Sequence, residues 1–143
     1  MEISKKYISL CNNDGIQSLC RWISGDRFLI KSQELFCFLE KIIGWGKDSK
    51  CTVWVPNFET SFEIQKGDLL WVPNLSQVIS SIKEQALSLK KISLEFIDNK
   101  WVFNAYYNKE DLGETVPIVT FAKTAKAACL KALIKIVNLN KGK

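Results

Sequence analysis

Residues 92–107 alternate. Ile92, Leu94 and Phe96 take turns with Ser93 and Glu95; past Asp98-Asn99, Trp101, Phe103, Ala105 and Tyr107 take turns with Val102, Asn104 and Tyr106. A period of two puts one set on a buried sheet face. Asp-Asn tolerates the left-handed backbone of a tight turn. The register follows: Phe96 opposite Trp101, Leu94 opposite Phe103, Ile92 opposite Ala105. A slip of one residue would turn Trp101 and Phe103 into water, so the pairing is strongly set. Polar residues 108–114 read as a loop. Residues 116–121 read as a third strand, which Pro117 confines to a sheet edge because it has no N–H to give a neighbour.

From about Ala122 the period becomes helical. Ala125, Cys129, Leu133, Ile136 and Val137 share one face, with Lys131 and Lys135 away from it. Residues 121–143 hold six lysines and no acid, whereas the whole chain is +5. The basic excess therefore sits on the last helix and its tail. Lys123 and Lys126 fall in the first turn, where the helix dipole disfavours cations. They are the candidate anion or nucleotide site, with Lys131 and Lys135 further along; the alternative is a solvated lysine face.

Upstream, Ile3–Cys11 predicts a short amphipathic helix ended by Asn12-Asn13-Asp14-Gly15, with Gly15 left-handed. Gly25-Asp26 is a turn, and 27–31 a strand with Phe28 and Ile30 on one face. Residues 32–45 fit a helix stopping at Gly44, because the apolar pattern outruns an ordinary strand; a strand through Leu35–Leu39, pairing back on 27–31, fits the same residues. Val53-Trp54-Val55-Pro56-Asn57 returns 17 residues later as Leu70-Trp71-Val72-Pro73-Asn74. Each copy is a strand end leaving its sheet at a proline. Trp54 and Trp71 are either core residues under those exits or walls of an aromatic pocket for a base or a partner side chain. Between the copies, 58–65 reads as a strand and 66–68 as a turn. Asn74 with Gln77 predicts a helix cap before an amphipathic run to Lys90.

The sum is an α+β fold: an antiparallel sheet with helices packed on it, ending in a β-hairpin and a closing helix. The length suits one domain, 1–143, with 1–24 a helical extension, 25–143 the core and 138–143 a basic tail. Five cysteines without CxxC spacing read as free thiols in a reducing cytoplasm, and no metal site is expected. No histidine is present, which removes Ser-His-Asp and Cys-His catalysis. No catalytic residue and no cofactor are expected. Neither a signal-peptide core nor a run of membrane-spanning length is seen.

Leu39–Trp45, Trp71–Leu75, Trp101–Tyr107 and Ala122–Ile136 together resemble small phage proteins with the phage α/β/α sandwich domain. Phe62–Val78 is similar to a stretch of other small phage reading frames, though without their Arg-Gln-Asp core. These resemblances imply a non-enzymatic phage or prophage accessory protein in the host cytoplasm, inhibiting or sequestering a host defence protein or its small nucleotide messenger. A homodimer is a further expectation from the tryptophan content. A competing resemblance is carried by AKTAKAACLKAL, residues 122–133, after a helix and strands. It resembles the end of a double-stranded-RNA-binding domain and implies nucleic-acid binding, with Lys123 and Lys126 crossing the phosphates of a groove. That domain has three regular strands after its first helix. Pro117 and the acidic Glu110-Asp111…Glu114 stretch stand against it.

Overall fold

The protein is α+β, with two antiparallel sheets and helices that include a C-terminal one. The computed structural model describes residues 4–44, 49–86, 89–109 and 114–141. The chain divides into two compact units. One joins Met1–Ile16 to Asn74–Lys143; the other is Gln17–Pro73.

The Gln17–Pro73 unit is a five-stranded sheet of β1 (Arg27–Ile30), β2 (Leu35–Ile43), β3 (Lys50–Val55), β4 (Thr60–Gln65) and β5 (Leu69–Trp71), in the order β4-β3-β2-β1-β5. Residues 35–43 are thus a strand rather than a helix. Arg27 pairs with Phe38 and Ile30 with Leu35. The helix-like spacing has a local cause. The register between β2 and β3 shifts between Leu39 and Lys41, so the apolar set changes faces mid-strand. Gly44 still ends the element, at φ +88°. Phe28, Ile30, Cys37, Leu39, Cys51, Val53, Val55 and Leu69 are buried. One-turn 3-10 segments, Pro56–Phe58 and Lys66–Asp68, flank β4.

The edge strand β5 is held by a side chain. The Gln17 amide nitrogen donates to the Trp71 carbonyl at 3.0 Å, and its Oε1 accepts from the Trp71 N–H at 2.8 Å. One carboxamide does the work of a neighbouring strand, satisfying a donor and an acceptor the ladder leaves over. Asp68 ties the β1–β2 turn in the same way, accepting from the N–H of Ser32 at 3.1 Å and from its hydroxyl at 2.5 Å.

In the other unit, α1 (Lys5–Cys11) and the single turn α2 (Asp14–Gln17), which reaches the division, come first in sequence. Gly15 is helical within α2, not the left-handed end of α1, because Asn12 already caps α1 with its N–H on the Ile8 carbonyl. Then follow α3 (Leu75–Gln85), β6 (Leu89–Ile97), β7 (Lys100–Lys109), β8 (Glu114–Ala122) and α4 (Ala125–Lys141). The capping box is present: Gln77 N–H on Asn74 Oδ1 and Asn74 N–H on Gln77 Oε1, both 2.9 Å. The hairpin turns at Asp98-Asn99, both left-handed, with Phe96 opposite Trp101 and Leu94 opposite Phe103. Ile92 departs from expectation. The register shifts between Lys90 and Ser93, Lys91 takes φ +55°, and Ile92 is 48% exposed. Asn108 and Lys109 continue β7 and Glu114 begins β8; the rest of the expected loop lies outside the described residues.

Phe103, Ala105 and Tyr107 turn inward under the helices, while Asn104 and Tyr106 face out. Ala128 and Ala132 are fully buried, so α4 lies close on its neighbours, and buried Thr120 donates to the Ala128 carbonyl at 2.7 Å. At the far end of α4, Asn140 accepts from the Tyr107 hydroxyl and donates to the carbonyl of Gln85, one of α3's last.

Replacing Gln17 with Leu removes both edge bonds of β5 and will lower stability by about 1–3 kcal/mol, measured by urea unfolding of the full chain.

Candidate nucleic-acid interface

Connectivity brings three element ends together in the Asn74–Lys143 module. β6 runs up to the Asp98-Asn99 turn, β7 returns, and β8 runs up again and leads through Lys123-Thr124 into α4. The first turn of α4 therefore lies at the end where the hairpin turns. α3 ends where β6 starts, and the Asn140–Gln85 bond joins the C-terminal ends of α3 and α4. Both helices accordingly point their N-termini the same way. At about 1.5 Å per residue α3 is roughly 16 Å long and α4 roughly 25 Å, so α3 starts short of α4.

Thr124 caps α4: its Oγ1 accepts from the Ala127 N–H at 3.1 Å, and its carbonyl from the Ala128 N–H at 3.1 Å. Lys123 stands just before the cap and Lys126 just after it. Cations there oppose the helix dipole at a cost of about 0.3–1 kcal/mol each. Lys123 is exposed. The Lys126 ammonium sits 4.4 Å from the centroid of the Tyr7 ring, a cation–π contact that offsets part of this cost. Lys100, on the hairpin, lies 4.5 Å over the Phe121 ring. Among the described residues, the acids on the hairpin near this end are Asp98, in the turn, and Glu95, on the outward face of β6.

Lys131 and Lys135 do something else. Lys131 Nζ donates to the Phe121 carbonyl at 3.0 Å and Lys135 Nζ to the Val119 carbonyl at 3.1 Å. Both carbonyls point away from β7, on the open edge of the sheet. Pro117 has the same parity, so its missing N–H falls on that open edge too. The four lysines singled out in the sequence thus divide into two at the helix start and two along the strand edge.

Trp54 and Trp71 are not brought together. Trp54 pairs with Phe38 on the outward face of the sheet, where the two are 39% and 37% exposed. Trp71 pairs with Phe28 on the opposite, buried face and is 4% exposed. The echo holds as two strands that leave at a proline, but only Trp71 is tucked under its exit. Arg27, across from Phe38, lies 6.0 Å over the Phe36 ring.

Burial works against ionising four of the thiols. Burial pushes Cys37 up to about 12, with Cys51 adding to the shift; it pushes Cys129 up to about 11 and raises Cys51. Burial also takes Cys20 up to about 12, outweighing the lowering by the Trp22 backbone hydrogen bond. Among the described residues there is no cluster of His, Cys, Asp and Glu able to hold a metal ion, and no helix long and apolar enough to cross a membrane. Surface depressions of about 630 Å³ and 330 Å³ lie around Ser32, Gln65 and Asp68 and around Leu10, Phe121 and Lys135, respectively.

No protein-family model matches the chain, and neither a curated protein nor a solved structure does.

Two expectations follow. Lys131→Met with Lys135→Met uncovers the β8 edge, and the variant will self-associate more than the parent in sedimentation at high concentration. The thiols whose folded values exceed the ordinary 9.0 stabilise the native state below about pH 9; that contribution will fall as pH rises towards 11–12, read from unfolding midpoints across the range.

Proposed function

We propose that the Asn74–Lys143 module, with α1 beside it, binds double-stranded nucleic acid of the RNA type, without catalysis. The observation that carries this reading is the convergence of the α4 start, with Lys123 and Lys126, and the hairpin tip, with Lys100, at the end towards which α3 also points. The module's order is helix, three antiparallel strands, helix. This is the order that the resemblance to a double-stranded-RNA-binding domain implies. The objection from Pro117 loses its force, since β8 runs unbroken from Glu114 to Ala122 with the proline on its outer edge.

The roles follow from duplex geometry. A-form RNA offers a shallow minor groove lined with 2′-hydroxyls and a deep major groove walled by phosphates, and such domains span about 16 base pairs by shape. Lys123 and Lys126, on either side of the Thr124 cap, face phosphates. The exposed hydroxyls of Ser76 and Ser80 on α3 suit 2′-hydroxyls. Lys131 and Lys135 stay on the β8 edge and take no part. Charge supports the assignment. The unit of Met1–Ile16 and Asn74–Lys143 has thirteen Lys against eight Asp or Glu, a net +5, while Gln17–Pro73 has seven of each sign.

The test is binding of an RNA duplex of about 20 base pairs by fluorescence anisotropy across a salt series. Affinity will fall steeply with salt. Lys123→Gln with Lys126→Gln will flatten the log–log slope by about 2, at about 0.9 for each phosphate no longer neutralised. Lys131→Gln with Lys135→Gln will leave the slope unchanged. No duplex binding at low salt overturns the reading. Release of a small nucleotide from gently purified, then denatured protein, seen by mass spectrometry, would replace it with the phage-accessory reading of a messenger-sequestering protein.

A further inference from the structure

We propose that the outward face of the Gln17–Pro73 sheet is a second nucleic-acid site, taking an unpaired stretch of RNA with bases on Phe38 and Trp54 and a phosphate on Arg27. The inference stands apart from the duplex reading, since it concerns the other unit and a different binding chemistry.

Pairing sets these side chains in a row across the sheet. Arg27 on β1 is level with Phe38 on β2, Phe38 with Trp54 on β3, and Trp54 with Ser61 on β4. Level residues share a face, and neighbouring strands lie about 4.8 Å apart, so the arginine and the two rings fall within about 10 Å. Both rings are more than a third exposed. Among the described residues neither is stacked on another ring.

Arg27 supplies the charge. Its guanidinium lies over Phe36, two residues before Phe38 and on the same face. Among the described residues it makes no ion pair, and its buried Nε has no hydrogen-bond partner. A guanidinium positioned by a ring rather than by a carboxylate keeps its donors for an anion from outside. Lys41 stands on the same face, level with Thr52. The acids of these strands are Glu63, which Lys50 engages at 3.5 Å, and Glu40, exposed in the break of register of β2. The five strands thus carry three cations and two acids, a slight excess that suits a ligand held by stacking first and by phosphates second.

A flat ring with an anion close by is what a nucleotide presents. One sugar joins a base to its phosphate, so adjoining nucleotides can meet two rings and a guanidinium at this spacing, and such stacking accepts any base. Bases in a duplex already have their faces covered, so the strand must be unpaired. The exposed Ser61 hydroxyl beside Trp54 suits a ribose 2′-hydroxyl, which favours RNA over DNA.

The experiment titrates the full chain into a labelled oligouridine of about ten nucleotides, which forms no duplex. Trp54→Ala and Phe38→Ala will each weaken binding about five-fold or more, with circular dichroism unchanged. Trp54→Phe keeps a ring and will lose less affinity than Trp54→Ala. Arg27→Gln will flatten an already shallow salt slope by about 0.7, the share of one phosphate on a single strand. Phe62→Ala removes an exposed ring from the other face of the same sheet and will bind as the parent does. None of these changes will alter duplex binding, so the two readings fail separately. No oligouridine binding, or binding that survives both ring deletions, overturns the inference. Equal binding of an oligothymidine overturns the assignment to RNA. An acidic peptide bound in a Trp54- and Arg27-dependent way, with no oligouridine binding, makes the face a peptide site instead.

Discussion

An antiparallel sheet that does not close leaves backbone groups along its edges, and these must find partners or invite another strand. Both sheets here meet that demand with long side chains. Gln17 supplies a donor and an acceptor to Trp71 at the end of β5. On β8, Lys131 and Lys135 lie down from α4 onto the carbonyls of Phe121 and Val119, and Pro117 removes an N–H from the same edge. The solution on β8 has a consequence for charge. Two of the closing helix's lysines, Lys131 and Lys135, are committed to the strand edge, which sets them apart from Lys123 and Lys126 at its start.

That start is an uneasy place for them. Lys123 and Lys126 flank the Thr124 cap, where the helix dipole works against positive charge. Stability alone favours Asp or Glu there. The fold tolerates the pair and even builds a support for one of them in the Tyr7 ring. That local electrostatic cost is the physical ground for proposing an anion as what this pair meets. The even balance of charge over Gln17–Pro73, against +5 in the other unit, sharpens the contrast.

What could be read in the sequence was what short-range rules govern. Asp98-Asn99 set the hairpin register for Phe96 and Leu94, and Asn74 with Gln77 set the α3 cap, because both depend on residues within a few positions. The α+β class followed from them. The failures share a cause. Residues 35–43 looked helical because the break in register after Leu39 moves apolar side chains from one face to the other, which mimics a longer period. Ile92 missed Ala105 through the irregularity at Lys91. Such breaks are set by how a strand bends against its partners, and single-chain periodicity does not carry that. Tyr7 under Lys126, and Gln17 on Trp71, join residues far apart in sequence and leave no local trace.

The repeated Trp-Val-Pro-Asn segments make the same point at a single residue. Both copies end a strand at a proline, yet Trp54 faces out and Trp71 in. A side chain's face depends on the parity of its pairing, not on its neighbours in sequence. Trp54 is level with Phe38, and Phe38 is level with Arg27. Trp71 is level with Phe28, one residue further along β1 and hence on the other face. One residue's offset across a common strand therefore separates a core tryptophan from an exposed one within identical local sequence. The strand β1, only four residues long, decides the fate of both copies, since it alone is registered against β5 and, through β2, against β3.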